Sequence, residues 1–235
     1  MEAMRMFCLP FAGGNKYAYQ SYAQLAPSFM KVTPLELPGR GRRADEPLLT
    51  NIQAMADDVF QQIRYQLNLP YVLYGHSMGG LLAYLLTKKI ISTSCYPPSH
   101  LFVTGCAAPS VREKSAMHKL PKHDFLQELK HLGGCPDEIL NSPDSMNFFE
   151  PVIRADFQAV EQYEYLDTTP FDVPITAMFG MSERVLDVEM TSWQKETTED
   201  VDIIRMHGNH FFIYPFAFQI VKVIARKINQ ELQKL

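Results

Sequence analysis

The sequence has little of what marks nucleic-acid-binding, membrane-spanning or disulfide-rich proteins. Its 235 residues have a formal net charge of −4, and the longest basic cluster, at 40–43, is short, so no nucleic-acid-binding surface is predicted. No run of about 18 or more apolar residues occurs, so no membrane-spanning helix is predicted. The four cysteines show no Cys-x-x-Cys spacing, and Cys8 and Cys106 lie in apolar, strand-like runs. We therefore expect buried thiols instead of disulfides, and neither a metal site nor a cofactor.

What is present is the composition of an ordinary globular protein. Hydrophobic residues make up 46% of the chain and charged residues 20%, which suits one domain with a sizeable core. The first residues, at 1–5, do not form a basic region followed by a long apolar stretch, so we expect no signal peptide. A cytoplasmic, soluble protein is the expectation, and we also expect a monomer.

The most informative stretch is Tyr71–Gly80, which reads YVLYGHSMGG. An apolar run of β-branched and aromatic residues leads to Gly75, and a helix-forming run begins after Gly79. The pattern Gly-x-Ser-x-Gly, in this strand-to-helix context, predicts a nucleophile elbow with Ser77 as the nucleophile. The backbone N–H of Met78, at the start of the helix, is then placed to bind an oxyanion. The alternative is an ordinary turn serine, and the strand and helix around it weigh against that.

A loop with paired glycines, PFAGGN at 10–15, follows the first predicted strand, Met4–Leu9. Paired glycines let the backbone pass close to a ligand, and in hydrolases with an elbow such a loop supplies the second oxyanion N–H. We therefore predict that the N–H of Ala12 is the partner of the Met78 N–H. Taken alone, the loop is more typical of an ordinary Gly-Gly turn. Its occurrence in the same sequence as the elbow motif favours the oxyanion role instead.

A serine nucleophile needs a base near neutral pH, and in proteins with this motif the chain order is nucleophile, acid, histidine. His210 follows the last predicted strand after a Gly-Asn turn and is the predicted base, with His207 as the rival nearer the strand. The acid is expected after the strand that ends at Gly180. There Glu183 stands at the expected offset, and Asp187 is the runner-up.

The order of the predicted elements indicates the fold. Strands of unbroken hydrophobicity alternate with helices in the segments 1–110 and 166–235. This alternation predicts an α/β protein whose mostly parallel sheet is covered by helices on both faces. Between them, the segment 111–165 has helical patterns and no convincing strand. We predict that this segment is a helical lid over the C-terminal edge of the sheet.

Apolar side chains of the predicted lid are candidates for an acyl pocket: Phe125, Leu126, Leu129, Phe148, Phe149, Phe157 and Tyr163. For any one of them, packing between lid helices is the more ordinary role. The predicted substrate-binding set is Phe11, His76, Phe125, Phe149 and Phe211. His76 lies inside the elbow, where packing against the neighbouring backbone is the alternative.

Six segments extend in order over nearly the whole chain: LPFAGGN, ELPGRG, YGHSMGG, LKHLGG, FFEPVIRADFQAVEQY and GNHFF. Together they resemble the type II thioesterases, the stand-alone editing enzymes of nonribosomal peptide and polyketide synthases, which have the α/β-hydrolase fold. The elbow is common to all α/β-hydrolases, whereas the FAGG, lid and GNHFF segments are more specific to this family. The resemblance implies hydrolysis of acyl or aminoacyl thioesters on the phosphopantetheine arm of carrier proteins, which clears misprimed or stalled carriers.

The resemblance also implies roles for individual residues. Ser77 matches the family's nucleophile and His210 its histidine, while Ala12 and Met78 match its oxyanion donors. Glu183 stands where the family usually has an aspartate.

Two other functions stay open. A small-ester carboxylesterase or lipase of the same fold would share every catalytic residue and differ in substrate preference. A non-catalytic carrier-binding protein would be favoured by a broken triad, and the glutamate at 183 is its only support. Because carrier proteins are often acidic, we further expect a carrier to dock on the surface between the lid and the loop that contains Arg40, Arg42 and Arg43.

Overall fold

The computed structural model of the chain describes residues 3–111, 115–135, 137–183 and 187–233. Its strands form one sheet and are β1 (Met4–Leu9), β2 (Met30–Pro34), β3 (Tyr71–His76), β4 (His100–Thr104), β5 (Ile175–Gly180) and β6 (Val201–Met206). Their order across the sheet is β2-β1-β3-β4-β5-β6, and every neighbouring pair is parallel. The α/β architecture with a parallel sheet is therefore as predicted.

The helices follow the strands in alternation. They are α1 (Gln20–Leu25), α2 (Ile52–Ile63), α3 (Met78–Ser92), α4 (Lys122–Leu132), α5 (Asp137–Leu140), α6 (Pro143–Glu161), α7 (Asp187–Thr191) and α8 (Ala217–Leu232). Within the described ranges, no helix has the length and apolarity needed to cross a membrane.

Side chains of the central strands alternate between two buried cores, one on each face of the sheet. Phe7 and Leu73 belong to the core that includes α2 and α3. Cys8 and Tyr74 belong to the core that includes α1 and α8. Burial on both faces explains why β3, β4 and β5 are buried along their whole length.

The strand order places a topological switch point between β1 and β3. The chain leaves β1 toward β2 on one side, and β3 lies on the other side of β1. In parallel α/β sheets the connections diverge at such a point, which opens a crevice at the carboxyl ends of the strands. Two loops border this crevice, namely 10–15 after β1 and the elbow after β3.

The chain between β4 and β5 is helical. The described residues of 105–174 contain no strand, and α4, α5 and α6 lie in this stretch. These helices pack around a small core of their own, in which Phe125 and Met146 are buried. Helices therefore occur where a lid is predicted, and the division of the chain into a core and a separate lid stays a prediction.

Three element boundaries differ from those that the sequence pattern predicts. The pattern over 17–30 predicts one helix, whereas the structure has a 3₁₀ turn at Lys16–Tyr19 followed by α1, which ends before Pro27 because the residue preceding a proline disfavours helix. The pattern over 32–37 predicts a strand, whereas β2 lies earlier and pairs with β1 along the whole of its length. The pattern predicts that the last helix begins at about residue 214, whereas α8 begins at Ala217, since residues 210–216 form turns.

Candidate active site

Ser77 occupies a strained turn between β3 and α3. Its backbone has φ 53° and ψ −118°, a conformation that residues other than glycine seldom adopt. A Cβ atom on Gly75 would lie 1.9 Å from the carbonyl oxygen of Gly79. A Cβ atom on Gly79 would lie 2.5 Å from the carbonyl oxygen of Leu9 in β1. Both glycines of the motif are therefore steric requirements of the turn, which has the predicted strand-to-helix geometry.

Backbone hydrogen bonds hold the strained serine in place. The N–H of Ser77 donates to the carbonyl oxygen of Thr104 in β4 at 2.8 Å, and its own carbonyl accepts the N–H of Gly80 at 3.0 Å. Ser77 directly precedes α3, whose first residue is Met78. The unpaired N–H groups and the dipole of a helix N-terminus favour negative charge at this position.

The predicted base and acid are in contact. Nδ1 of His210 lies 2.6 Å from Oε2 of Glu183, and Oε1 of Glu183 accepts the N–H of Gly180 at 2.6 Å. The carboxylate is thus held between the imidazole and the end of β5, and the side chain of Glu183 is only 6% exposed. With Nδ1 of His210 donating to the carboxylate, Nε2 is the nitrogen that can accept a proton.

Backbone hydrogen bonds also join the loops that carry these two side chains. The N–H of Met181 donates to the carbonyl oxygen of Met206 at 2.7 Å, and the N–H of Ser182 donates to that of Gly208 at 2.9 Å. The neighbouring strands β5 and β6 therefore present acid and base at the same edge of the sheet.

The sequence left His207 open as the alternative base and Asp187 as the alternative acid. His207 is exposed, and its ring packs against Phe216 with 6.2 Å between ring centroids. It does not contact the acid at position 183 in the way that His210 does. Asp187 begins α7, and its side chain lies outside the described part of the structure.

Ser77 and His210 line the same cavity, which has a volume of about 460 Å³. The loop after β1 contributes one wall through Phe11, Ala12 and Gly13. The helical segment between β4 and β5 contributes apolar side chains to the lining of the cavity: Leu129, Leu132, Ile139, Phe149, Ile153 and Phe157. A cavity walled in this way suits the apolar part of a ligand whose reactive group lies at the serine.

The structure corrects part of the predicted substrate-binding set. Of this set, Phe11, Phe149 and Phe211 line the cavity. Phe125 is not among them, because it is fully buried in the core of the helical segment, with the guanidinium carbon of Arg154 at 4.0 Å from its ring centroid. His76 is not among them either, because it is fully buried beside His210. Of the wider lid set, Leu129 and Phe157 line the cavity, whereas Phe148 is 60% exposed.

His76 packs against the imidazole of His210. The two ring centroids are 4.7 Å apart, and Nδ1 of His76 lies 3.2 Å from Oγ1 of Thr104. Burial, and then the proximity of His210, lowers the pKa of His76 well below 6.5. His76 is therefore neutral near pH 7 and contributes packing, which matches the alternative that the sequence left open.

Hydrogen bonds hold the loop after β1 in place. The N–H of Gly14 donates to the carbonyl oxygen of Phe11 at 2.8 Å, which closes a turn around Ala12 and Gly13. The N–H of Gly13 donates to Oδ2 of Asp156 in α6 at 2.7 Å. Ala12 lines the cavity together with the serine, and its role as an oxyanion donor stays a prediction.

The arginine loop is not the basic surface that the sequence suggests. Arg40 is 5% exposed and forms a bidentate ion pair with Asp156. Arg43 forms a bidentate pair with Asp58. Arg42 is exposed, but two of the three positive charges are neutralised within the protein. The expectation that a carrier docks on these arginines therefore loses its electrostatic basis.

The sequence pattern does not predict the pair between Arg40 and Asp156, which are 116 positions apart. Its only signal is an aspartate at helical spacing from the apolar Val152 and Ile153. A carboxylate on the apolar face of a helix requires a cationic partner when that face is buried.

Taken together, the arrangement provides the parts of a nucleophilic acyl transfer. A hydroxyl lies on a strained turn at a helix N-terminus, and an imidazole oriented by a nearly buried carboxylate borders the same cavity. Such a set attacks a carbonyl carbon with general-base assistance and forms a covalent intermediate.

Comparison with known proteins agrees with this chemistry. A family model described as "Thioesterase domain" matches residues 4–231. The gramicidin S biosynthesis protein GrsT of Aneurinibacillus migulanus is 33% identical over 228 residues, which make up 96% of this chain and 89% of that protein.

Solved structures agree as well. RedJ, a thioesterase from the prodiginine biosynthetic pathway in Streptomyces coelicolor, has a TM-score of 0.89 at 30% identity, over 96% of this chain and 91% of that one. The type II thioesterase BorB from the borrelidin biosynthetic cluster has a TM-score of 0.88 at 28% identity, over 96% and 93%. The fold is thus the predicted α/β-hydrolase fold.

The contact between His210 and Glu183 predicts the effect of removing the acid. We expect Glu183→Gln to lower kcat for p-nitrophenyl acetate by about 10³- to 10⁴-fold, because the neutral amide no longer stabilises the imidazolium. Asp187→Asn is the matched control and is expected to retain activity. The opposite result, collapse in Asp187→Asn with an active Glu183→Gln, would transfer the role of the acid to Asp187.

The lowered pKa of His76 predicts a pH-dependent stability. Below about pH 6.5 the unfolded chain protonates this histidine and the folded chain does not, so the free energy of unfolding falls as the pH falls. Between about pH 7.5 and 5.5 we expect wild type to lose about 1 kcal/mol more than His76→Asn. Urea unfolding of both proteins at each pH measures the difference. Parallel losses in the two proteins would show that His76 is protonated in the folded state.

Proposed function

Because the chain belongs to the thioesterase domain family, we propose that it hydrolyses acyl or aminoacyl thioesters on the phosphopantetheine arm of carrier proteins. In this role it removes misprimed or stalled groups during nonribosomal peptide or polyketide biosynthesis. The names of GrsT, RedJ and BorB, which refer to biosynthetic pathways or type II thioesterases, support the proposal. The observation that carries it is the 2.6 Å contact between Glu183 and His210 at a cavity that also contains Ser77.

In the proposed acylation step, each of these groups has one role. Oγ of Ser77 attacks the thioester carbonyl carbon while Nε2 of His210 takes the hydroxyl proton, and Glu183 stabilises the imidazolium. The carbonyl electrons move to oxygen, where the N–H groups of Ala12 and Met78 receive the charge. Collapse reforms the carbonyl and breaks the carbon–sulfur bond. The imidazolium protonates the departing sulfur, and the acyl group stays on the serine.

Deacylation repeats these steps with water as the nucleophile. The imidazole of His210 takes a proton from a water molecule as that water attacks the acyl ester. The second tetrahedral intermediate collapses, the serine oxygen recovers the proton, and the carboxylic acid leaves. Every proton in the cycle passes through His210, so the proposal requires no cofactor beyond the phosphopantetheine that the substrate brings.

The cavity suits a range of acyl groups. Its helical wall is formed by aliphatic and aromatic side chains such as Leu132, Ile153 and Phe157. Apolar walls discriminate weakly between chains that differ by a methylene group, since each buried CH₂ contributes about 0.8 kcal/mol. Weak discrimination fits an editing enzyme, which has to accept various wrong groups.

The proposal includes the partner and the setting. The partner is an acyl or peptidyl carrier domain that presents the thioester at the mouth of the cavity. We propose a cytoplasmic, monomeric enzyme, and the thiol form of all four cysteines supports a reducing compartment.

A carboxylesterase acting on free small esters is the second candidate. It would use the same serine, histidine and glutamate, and the apolar cavity favours it as much as it favours the thioesterase. A non-catalytic carrier-binding protein is disfavoured, because Glu183 contacts His210 as an acid of a complete triad would.

The test compares carriers with free substrates. Acetyl-loaded carrier protein, acetyl-pantetheine and p-nitrophenyl acetate are each incubated with wild type and Ser77→Ala. We expect kcat/KM for the loaded carrier to exceed that for acetyl-pantetheine by at least about 10²-fold, since binding of the carrier adds transition-state stabilisation. Ser77→Ala abolishes all three activities. A Ser77-dependent activity that prefers the oxygen ester would contradict the proposed thioesterase function and support the carboxylesterase function instead.

A further inference from the structure

A buried ion pair joins three distant segments next to the proposed oxyanion hole. Arg40, in the loop after β2, places Nη1 at 2.6 Å from Oδ2 of Asp156 and Nη2 at 2.7 Å from Oδ1. Asp156 lies in α6 and is fully buried, and Arg40 is 5% exposed. Oδ2 of Asp156 also accepts the N–H of Gly13, and Nη1 of Arg40 donates to the carbonyl oxygen of Gly14 at 3.2 Å.

These contacts fix the backbone on the C-terminal side of Ala12. The N–H of Gly13 belongs to the peptide group that directly follows Ala12, and it is held at 2.7 Å by the carboxylate. The carbonyl oxygen of Gly14, one residue further along the loop, accepts a hydrogen bond from the arginine. Side-chain packing adds to this, since a Cβ on Gly13 would lie 2.8 Å from Cγ1 of Ile153 in α6. The loop therefore lies directly against this helix.

Stability alone is a poor explanation for such a pair. Burial raises the pKa of Asp156, and the hydrogen bonds and charge of Arg40 oppose that rise. Buried ion pairs seldom stabilise a fold more than apolar residues of similar volume would, because both charges lose their hydration. What a bidentate pair does provide is a fixed orientation, here of a carboxylate whose second contact is the Gly13 N–H.

We propose that Asp156, oriented by Arg40, is a positioning residue that sets the direction of the Ala12 N–H in the oxyanion hole. The inference rests on the proposed function of Ser77 and deepens it. Because Asp156 is part of α6, the oxyanion hole is complete only while this helix lies against the loop. Helix α6 also supplies Ile153 and Phe157 to the cavity wall, so acyl binding and oxyanion stabilisation depend on the same helix.

The test uses a single variant, a compensated variant and a matched control. Asp156→Ala removes the acceptor of the Gly13 N–H and leaves Arg40 unpaired. The double variant Arg40→Met with Asp156→Leu replaces the pair by apolar side chains of similar size. Asp58→Asn breaks the pair between Arg43 and Asp58, which has the same bidentate geometry, with distances of 2.6 and 2.7 Å, but does not contact the oxyanion loop.

Two measurements distinguish a loss of oxyanion-hole geometry from a general loss of folded protein. One is kcat and KM for p-nitrophenyl acetate, and the other is the affinity for an acyl trifluoromethyl ketone, whose serine adduct has a charged oxygen in the oxyanion hole. We expect Asp156→Ala to lower kcat by about 10²- to 10³-fold with KM within about threefold. Inhibitor affinity is expected to fall by the same factor as kcat/KM. Asp58→Asn is expected to match wild type in both.

If Asp156→Ala folds poorly, the double variant tests the positioning role of Asp156 without an unpaired buried charge. We expect it to recover the wild-type melting temperature within a few degrees and yet to keep the low kcat and weak inhibitor binding. Recovery of full activity together with stability would overturn the proposal, as would a lowered kcat with unchanged inhibitor affinity.

Neither readout needs a carrier. Failure of wild type to hydrolyse loaded carriers would therefore overturn the proposed function alone. A wild type that neither hydrolyses p-nitrophenyl acetate nor binds the ketone would overturn both proposals.

Discussion

The close approach of the elbow to β1 is the constraint on which the site depends. At Gly79 the first turn of α3 lies so near the carbonyl of Leu9 that a Cβ atom would be 2.5 Å from it. This contact places Ser77 beside the loop that begins at Pro10, so that the proposed nucleophile and the proposed second oxyanion donor, which follow different strands, border one crevice. The parallel order of β1, β3 and β4 makes the contact possible, because it aligns their carboxyl ends.

Glu183, the proposed acid, stands where the family resemblance implies an aspartate. Its side chain is one methylene longer than that of an aspartate, and both of its carboxylate oxygens have partners. One oxygen accepts the N–H of Gly180, and the other contacts Nδ1 of His210. The contact with the backbone of Gly180 holds the carboxylate close to the end of β5.

Local signals predict most of the sheet and the contact between His210 and Glu183. Ser77, Glu183 and His210 each follow a hydrophobic strand, and parallel strands bring such positions to one edge of the sheet. Long-range partners were not predictable in this way. The pairing of Arg40 with Asp156, and the burial of Phe125 while Phe149 faces the cavity, depend on how helices of the middle segment pack. Helical periodicity shows which side chains are buried but not which neighbour buries them.

Active-site titration tests most directly whether Ser77 is the single nucleophile for thioester hydrolysis. The protein is titrated with a fluorophosphonate, the labelled peptide is identified by mass spectrometry, and residual hydrolysis of acetyl-loaded carrier is measured at each extent of labelling. We expect the label on Ser77 and an activity that falls in proportion to labelling, reaching zero at one label per chain. Hydrolysis that survives complete labelling of Ser77, or a label on another residue that abolishes hydrolysis, would show that Ser77 is not the nucleophile.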